Sequence, residues 1–258
     1  MTRQTLLDVL AIGPHPDDVE ICCGGLLAKS SAQGYQIGVV DLARGELSTQ
    51  GTLEQRAIET QRASAILGIG HRENLGLPDG EIGVGPTALG NSPSSQLGVT
   101  IAALRRLRPK LLLLPYWEAR HPDHVAASEL LTRAVFHAGL AKFLPELGEP
   151  YVPLQVLYYQ MRVTFQPSFI TDISDVVERK MEAVRAYGSQ LRRSTSDGAT
   201  GTLLSSDLSL QSMVARAQFY GAMIGVSAAE PFLMRNAVSI DDPIAHFSTL
   251  GARAVHIF

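Results

Sequence analysis

The chain has 258 residues, 45% of them hydrophobic and 18% charged, an ordinary balance for a soluble globular protein. Its formal net charge of −3 provides no basic field, which argues against a nucleic-acid partner. No run approaches the ~18 apolar residues of a spanning helix, and the opening Met1-Thr2-Arg3-Gln4-Thr5 leads into neither a signal-peptide core nor a cleavage site, so a cytoplasmic protein without membrane contact is expected.

The apolar run Val9-Leu10-Ala11-Ile12 predicts a buried strand over 8–13. It leads through Gly13-Pro14-His15-Pro16-Asp17-Asp18-Val19-Glu20 into a helix over about 20–32, closed by Gly34. Cys22 and Cys23 fall within that helix. Adjacent cysteines form no relaxed disulfide and lack the spacing of zinc motifs, so they read as small apolar side chains. Residues 36–42 form a second strand, followed by a loop over 44–51. Thr52 with Gln55 makes a capping box that opens a helix ending near Gly68. A short strand at 71–75 precedes the turn-rich Gly76-Leu77-Pro78-Asp79-Gly80, and residues 83–95 read as a surface loop.

A helix over 95–107 leads to a strand at 110–116 around Leu111-Leu112-Leu113-Leu114. Pro122 suits the first turn of the next helix, whose apolar stripe is Ala127, Leu130, Leu131, Ala134, Val135 and Ala138. Such strand–helix alternation implies crossovers and a parallel sheet. Farther on, the strand-like segments 156–161 and 169–173 lie close enough in sequence to pair without a crossover helix. Two helices follow, one carrying Val177, Met181 and Val184, the other Leu210, Met213, Val214, Ala217 and Tyr220. The polar stretch 194–202 between them reads equally as a lid or as a plain surface loop. With no repeat and no linker, one domain over 1–258 is the economical count.

Two clusters carry chemistry. His15, Asp17 and Asp18 follow the first apolar strand; His121-Pro122-Asp123-His124 follows the Leu111–Leu114 run. Each alone reads as a helix cap or a solvated turn. Both together lie at the carboxyl ends of strands, the edge where open α/β sheets bind ligands. If the two strands are neighbours, His15, Asp18 and His124 supply two imidazoles and a carboxylate, a set that leaves a metal ion an open position. Asp17 and Asp18 are adjacent and point different ways, so one can bind a metal while the other faces the bound water. His121 and His124 lie near one face of the helix start. His71, His137, His246 and His256 show no ligand spacing and read as structural. No G-x-G-x-x-G follows the first strand, and neither a P-loop nor a G-x-S-x-G elbow occurs, which leaves nucleotide and acyl-serine chemistry without an anchor.

These two clusters resemble the PIG-L/LmbE-like zinc N-deacetylase superfamily. The segments Gly45-Glu46-Leu47-Ser48-Thr49, Gly51-Thr52-Leu53-Glu54-Gln55-Arg56, Glu73 to Gly80, Asp172-Ile173-Ser174-Asp175 and Lys180 to Tyr187 are similar to its bacillithiol-pathway branch, which deacetylates N-acetylglucosaminyl-malate. Pro14, where that pattern has a small residue, and the 194–202 stretch depart from it. The resemblance implies an α/β fold, a Rossmann-like mostly parallel sheet flanked by helices, with the metal site at the C-terminal ends of the strands. It implies His15, Asp18 and His124 as ligands of Zn2+, with Fe2+ suited to the same donors. Asp17 is the implied general base, His121 in protonated form the oxyanion partner, and Asp123 the group that orients His121 and keeps it charged. Either Asp17 or His121 would protonate the leaving amine. Arg44, Arg56 and Arg120 are candidates for the malate carboxylates, and Glu46 for sugar hydroxyls. The family also implies a homo-oligomer, often a hexamer. The alternatives are a deacetylase for another N-acyl amino sugar or thiol conjugate, and a non-catalytic metal- or sugar-binding protein. The latter has no need of Asp17.

Overall fold

The computed structural model describes residues 6–85, 88–191 and 208–250. Strands β1 (Val9–Gly13), β2 (Ile37–Ala43), β3 (His71–Leu77) and β4 (Leu111–Pro115) alternate with helices α1 (Asp18–Ala32), α2 (Leu53–Leu67), α3 (Gln96–Leu107) and α4 (Pro122–Ala138). The second half holds β5 (Gln155–Tyr159), β6 (Phe169–Asp172), α5 (Val177–Arg185), the short α6 (Gly188–Leu191), α7 (Ser209–Met223), β7 (Ala229–Leu233) and α8 (Pro243–Leu250). Among the described residues no helix is long and apolar enough to cross a membrane.

The strands form one sheet in the order β3-β2-β1-β4-β5-β7-β6. The first five run parallel, and β7 is antiparallel to both of its neighbours. β1 lies between β2 and β4, with Val9 opposite both Ile37 and Leu111. Every residue of β1 is buried, as a strand covered on both faces requires. The two-residue period divides its side chains. Leu10 and Ile12 join a core with Ile101 and Leu104 of α3 and Leu130 and Leu131 of α4. Val9 and Ala11 join Val19, Cys23 and Leu27 of α1 on the other face. The expected stripe of α4 is buried there, apart from the partly covered Val135.

Local signals set the helix ends. Thr52 and Gln55 make the reciprocal capping box of α2, which closes on Gly68 in the left-handed region. Pro122 occupies the first turn of α4. α1 starts at Asp18, two residues earlier than expected, and breaks at Cys23 (φ −139°, ψ 17°). The N–H groups of Gly25 and Leu26 beyond the break donate to the Glu230 carboxylate at 2.8 and 2.7 Å, and Lys180 Nζ donates to the same carboxylate at 2.6 Å.

The second half departs from the expected pairing. β5 and β6 do not pair with each other; β7 inserts between them. Both are antiparallel to β7 and hence parallel to one another, and direct parallel pairing needs a longer crossover than segment 160–168 provides. β7 itself lacks a strand signal, because Glu230 and Pro231 sit inside it. Pro231 lies opposite Ile170 of β6, beyond the Tyr158–Leu233 and Tyr159–Phe232 pairs that join β7 to β5. The stretch 194–202, read above as lid or loop, lies outside the described residues.

Candidate metal centre

Strand order reverses at β1, with β2 and β3 on one side and β4 and β5 on the other. The crevice above such a reversal is where open α/β sheets hold their ligands. β1 runs out at Gly13 into His15, Asp17 and Asp18; β4 runs out at Pro115 toward His121 and His124. Because β1 and β4 are direct neighbours, the two clusters meet.

Asp17 precedes α1 with φ at 107°, a backbone state that non-glycine residues rarely adopt. The turn sends the two aspartates apart. Asp18 Oδ2 accepts the His15 N–H at 3.0 Å, and lies 3.4 Å from His15 Nδ1 and 3.3 Å from His124 Nε2. One ligand atom from each of His15, Asp18 and His124 falls within 4.8 Å of the others. The opposite nitrogen, His15 Nε2, bonds Asp79 Oδ1 at 3.0 Å and Asp123 Oδ2 at 3.1 Å. With its Nε2 proton shared by two carboxylates, His15 turns Nδ1 toward Asp18 and His124, the orientation that outer carboxylates impose on a metal-binding imidazole. Burial disfavours charge on His15, but hydrogen bonds to Asp123, Asp18 and Asp79 outweigh it and push the imidazole up to about 12. Asp18 alone of these carboxylates faces Nδ1 and His124, while Asp79 and Asp123 hold the ring from its far side. Two imidazoles and a carboxylate therefore fit a divalent metal. His15, Asp79 and Asp123 form a second close trio, but its 3.0 and 3.1 Å contacts are hydrogen bonds that serve the first.

Asp17 and Asp18 are both buried yet titrate oppositely. Burial pushes Asp17 up to about 7, against the nearby Arg56. Burial acts on Asp18 too, but His124 and His15 hold it well below the usual carboxylate range. Glu20, the last residue of the Gly13–Glu20 segment, is fully buried and bonds Arg72 and the Tyr187 hydroxyl, so it braces α1 rather than the site.

Three residues sit differently from expectation. Asp123 does not turn its carboxylate to His121. That carboxylate accepts from the Gly80 N–H at 2.8 Å and bonds His15 Nε2, while the Asp123 backbone N–H donates to His121 Nδ1 at 3.2 Å. His121 is shifted down, not up: burial disfavours its charge, and His124 and His15 add to that. The helix start explains the change. His121 is the N-cap of α4, so its ring accepts from the first turn instead of donating to Asp123. Arg56 is not at the mouth. Its Nη2 donates to Asp17 Oδ2 at 3.1 Å and to the Pro16 carbonyl at 2.9 Å, leaving it 7% exposed. Gly45 makes room, since a side chain there would strike the guanidinium.

Arg44, Glu46 and Arg120 are exposed at the same sheet edge, with no hydrogen bond or ion pair among the described residues. Sequence reasoning missed Asp79 as a site residue. The signal was Pro78-Asp79-Gly80, a turn at the carboxyl end of a third strand. The hydrogen bond from His15 holds Asp79 down to about 2, and its Oδ2 accepts the Leu47 N–H, tying the Gly45–Thr49 loop to the site. His71 pairs with Glu73, His137 stacks on Phe143, and His246 lies on α8; His256 lies outside the described residues. Both cysteines are buried thiols, Cys22 pushed up to about 12 by burial.

Comparison with known proteins gives consistent relatives. The PIG-L family, described as GlcNAc-PI de-N-acetylase, matches residues 10–135. A diacetylchitobiose deacetylase of Thermococcus kodakarensis is 32% identical over 193 residues, 70% of this chain and 69% of the relative. A probable N-acetyl-alpha-D-glucosaminyl L-malate deacetylase of Bacillus anthracis is 27% identical over 214 residues, 76% of this chain and 89% of the relative. Among solved structures, a conserved protein of Thermus thermophilus superposes with a TM-score of 0.78 at 37% identity, covering 91% of this chain and 98% of that one.

Proposed function

The chain belongs to the PIG-L family and is a metal-dependent deacetylase of N-acetylglucosamine-type substrates; from that premise we propose that His15, Asp18 and His124 hold its metal and that its substrate is N-acetylglucosaminyl-malate. The observation that carries the site assignment is the meeting of three ligand atoms within 4.8 Å at the strand reversal. We read the cation as Zn2+, with Fe2+ suited to the same donors. When bound, such an ion polarises the acyl carbonyl and acidifies a water molecule.

The protein groups divide the proton work. Asp17 is anchored through Oδ2 by Arg56 and takes the proton of the attacking water. Burial that brings Asp17 to about 7 equips it to return that proton to the leaving amine. His121 accepts a backbone N–H at Nδ1, so its neutral ring carries the proton on Nε2 and donates it as a hydrogen bond to the oxyanion. Asp79 and Asp123 orient His15. The balanced reaction is amide plus water to amine plus acetate.

A second reading, deacetylation of diacetylchitobiose or another neutral N-acetylglucosaminide, is favoured by the 32% identity to the Thermococcus enzyme. Acetate release from N-acetylglucosaminyl-malate, diacetylchitobiose and free N-acetylglucosamine separates the two. We expect the Zn2+-loaded protein to prefer the malate glycoside, and Asp17→Asn to lose at least a hundredfold in kcat while still binding metal. A preference for diacetylchitobiose would transfer the assignment to the second reading. Full activity in Asp17→Asn would remove the general base from the scheme.

A further inference from the structure

Neighbouring strands β4 and β5 end side by side, Pro115 opposite Tyr159, and each is followed by an arginine: Arg120 after β4, Arg162 after β5. Both side chains are exposed, and neither has a hydrogen bond or an ion pair among the described residues. Arg120 immediately precedes His121. Arg162 is placed from the opposite side by a third arginine. Arg216 of α7 donates through Nη1 to the Met161 carbonyl at 2.6 Å and through Nη2 to the Ile21 carbonyl at 3.0 Å. One guanidinium therefore clamps the residue before Arg162 to the helix that begins with Asp18. Met161 also packs its sulfur 3.7 Å from Cys22 Sγ on that helix. Burial, then Arg216 and Arg120, lower the proton affinity of Arg162, while Cys22 and Asp18 oppose them. Two like charges that lack an ion-pair partner of their own are unfavourable side by side until an anion arrives.

We propose that Arg120 and Arg162 form a two-armed anion site beside the metal centre that binds the anionic aglycone of the substrate. This inference rests on the deacetylase reading above and adds to it the groups that select the aglycone. A glycoside that places its N-acetyl group over His15, Asp18 and His124 extends its aglycone along the β4–β5 edge, where two guanidinium forks receive carboxylate or phosphate oxygens. Arg56, buried against Asp17, takes no part.

The test compares three substrates of the Zn2+-loaded enzyme: N-acetylglucosaminyl-malate, N-acetylglucosamine 1-phosphate and the neutral methyl N-acetylglucosaminide. Removing a charge-assisted bond from a solvent-accessible carboxylate site gives about a tenfold loss. We expect Arg162→Gln to raise KM for the malate glycoside by about that factor with kcat within twofold, and to lower the anionic-to-neutral ratio of kcat/KM correspondingly. Arg162→Lys should recover part of the loss, keeping the charge without the fork, and Arg120→Gln should resemble Arg162→Gln. A loss confined to the malate glycoside assigns a carboxylate; an equal loss on the 1-phosphate assigns any anionic aglycone. Equal losses on anionic and neutral glycosides, or no change on either anionic substrate, would overturn the proposal. Wild-type enzyme that deacetylates all three sugars without preferring the anions overturns the anion site and leaves the deacetylase reading standing. Failure to release acetate from any of them overturns both.

Discussion

Asp17 and Asp18 are identical side chains, one residue apart, in opposite protonation environments. The separation originates in the backbone, where φ of 107° at Asp17 aims its carboxylate at Arg56 while Asp18 faces His15 and His124. A strained residue persists only when its surroundings over-determine it, and here Arg56 Nη2 does so, donating to both Asp17 Oδ2 and the Pro16 carbonyl. Arg56→Ala leaves the Asp17 carboxylate buried and unpaired, which costs about 3 kcal/mol. Urea denaturation should show that loss, and kcat should fall with it as Asp17 loses its anchor; an unchanged midpoint would contradict the assigned pairing. Asp18→Ala removes the oxygen shared by both imidazoles. The protein should then lose stoichiometric zinc by elemental analysis, whereas Asp17→Asn should retain it.

Among the elements, α1 carries the most demands. It begins at Asp18, breaks at Cys23 and restarts against the carboxylate of β7. Glu230 acts there as a cap inside the protein, its charge matched by the buried Lys180. Glu230→Ala strands two N–H groups and an ammonium in the interior, and we expect a loss of about 3–5 kcal/mol by chemical denaturation. The double variant Glu230→Ala with Lys180→Met should cost less than the sum of the single changes, because one partner of a buried pair is worth little without the other. Gly25 permits this approach. A Cβ there would sit 2.6 Å from Ile173 Cδ1 and 2.8 Å from Glu230 Oε1, so Gly25→Ala should destabilise by about 1–3 kcal/mol.

At the scale of the whole molecule, the proposed metal ligands His15, Asp18 and His124 lie on turns that follow β1 and β4, about a hundred residues apart in sequence. A cation bound there ties the centre of the sheet together and favours the folded state in proportion to its concentration over Kd, about 4 kcal/mol at a thousandfold excess. Chelation should therefore lower the thermal midpoint, and Zn2+ should restore it. An unchanged midpoint in the Asp18→Ala variant on the same treatment would show that the effect arises at this site. Local chemistry alone specifies the apolar runs of β1 and β4, the capping box of α2, Pro122 at the start of α4, and the two His–Asp clusters at strand ends. Asp79 beside His15, Arg56 beside Asp17, Asp123 facing His15 instead of His121, and β7 between β5 and β6 were decided only in three dimensions. Each of these depends on partners distant in the chain. A strand interrupted by Glu230 and Pro231 has no periodicity to reveal it, and a buried charge takes its partner from whichever element packing brings within hydrogen-bonding distance.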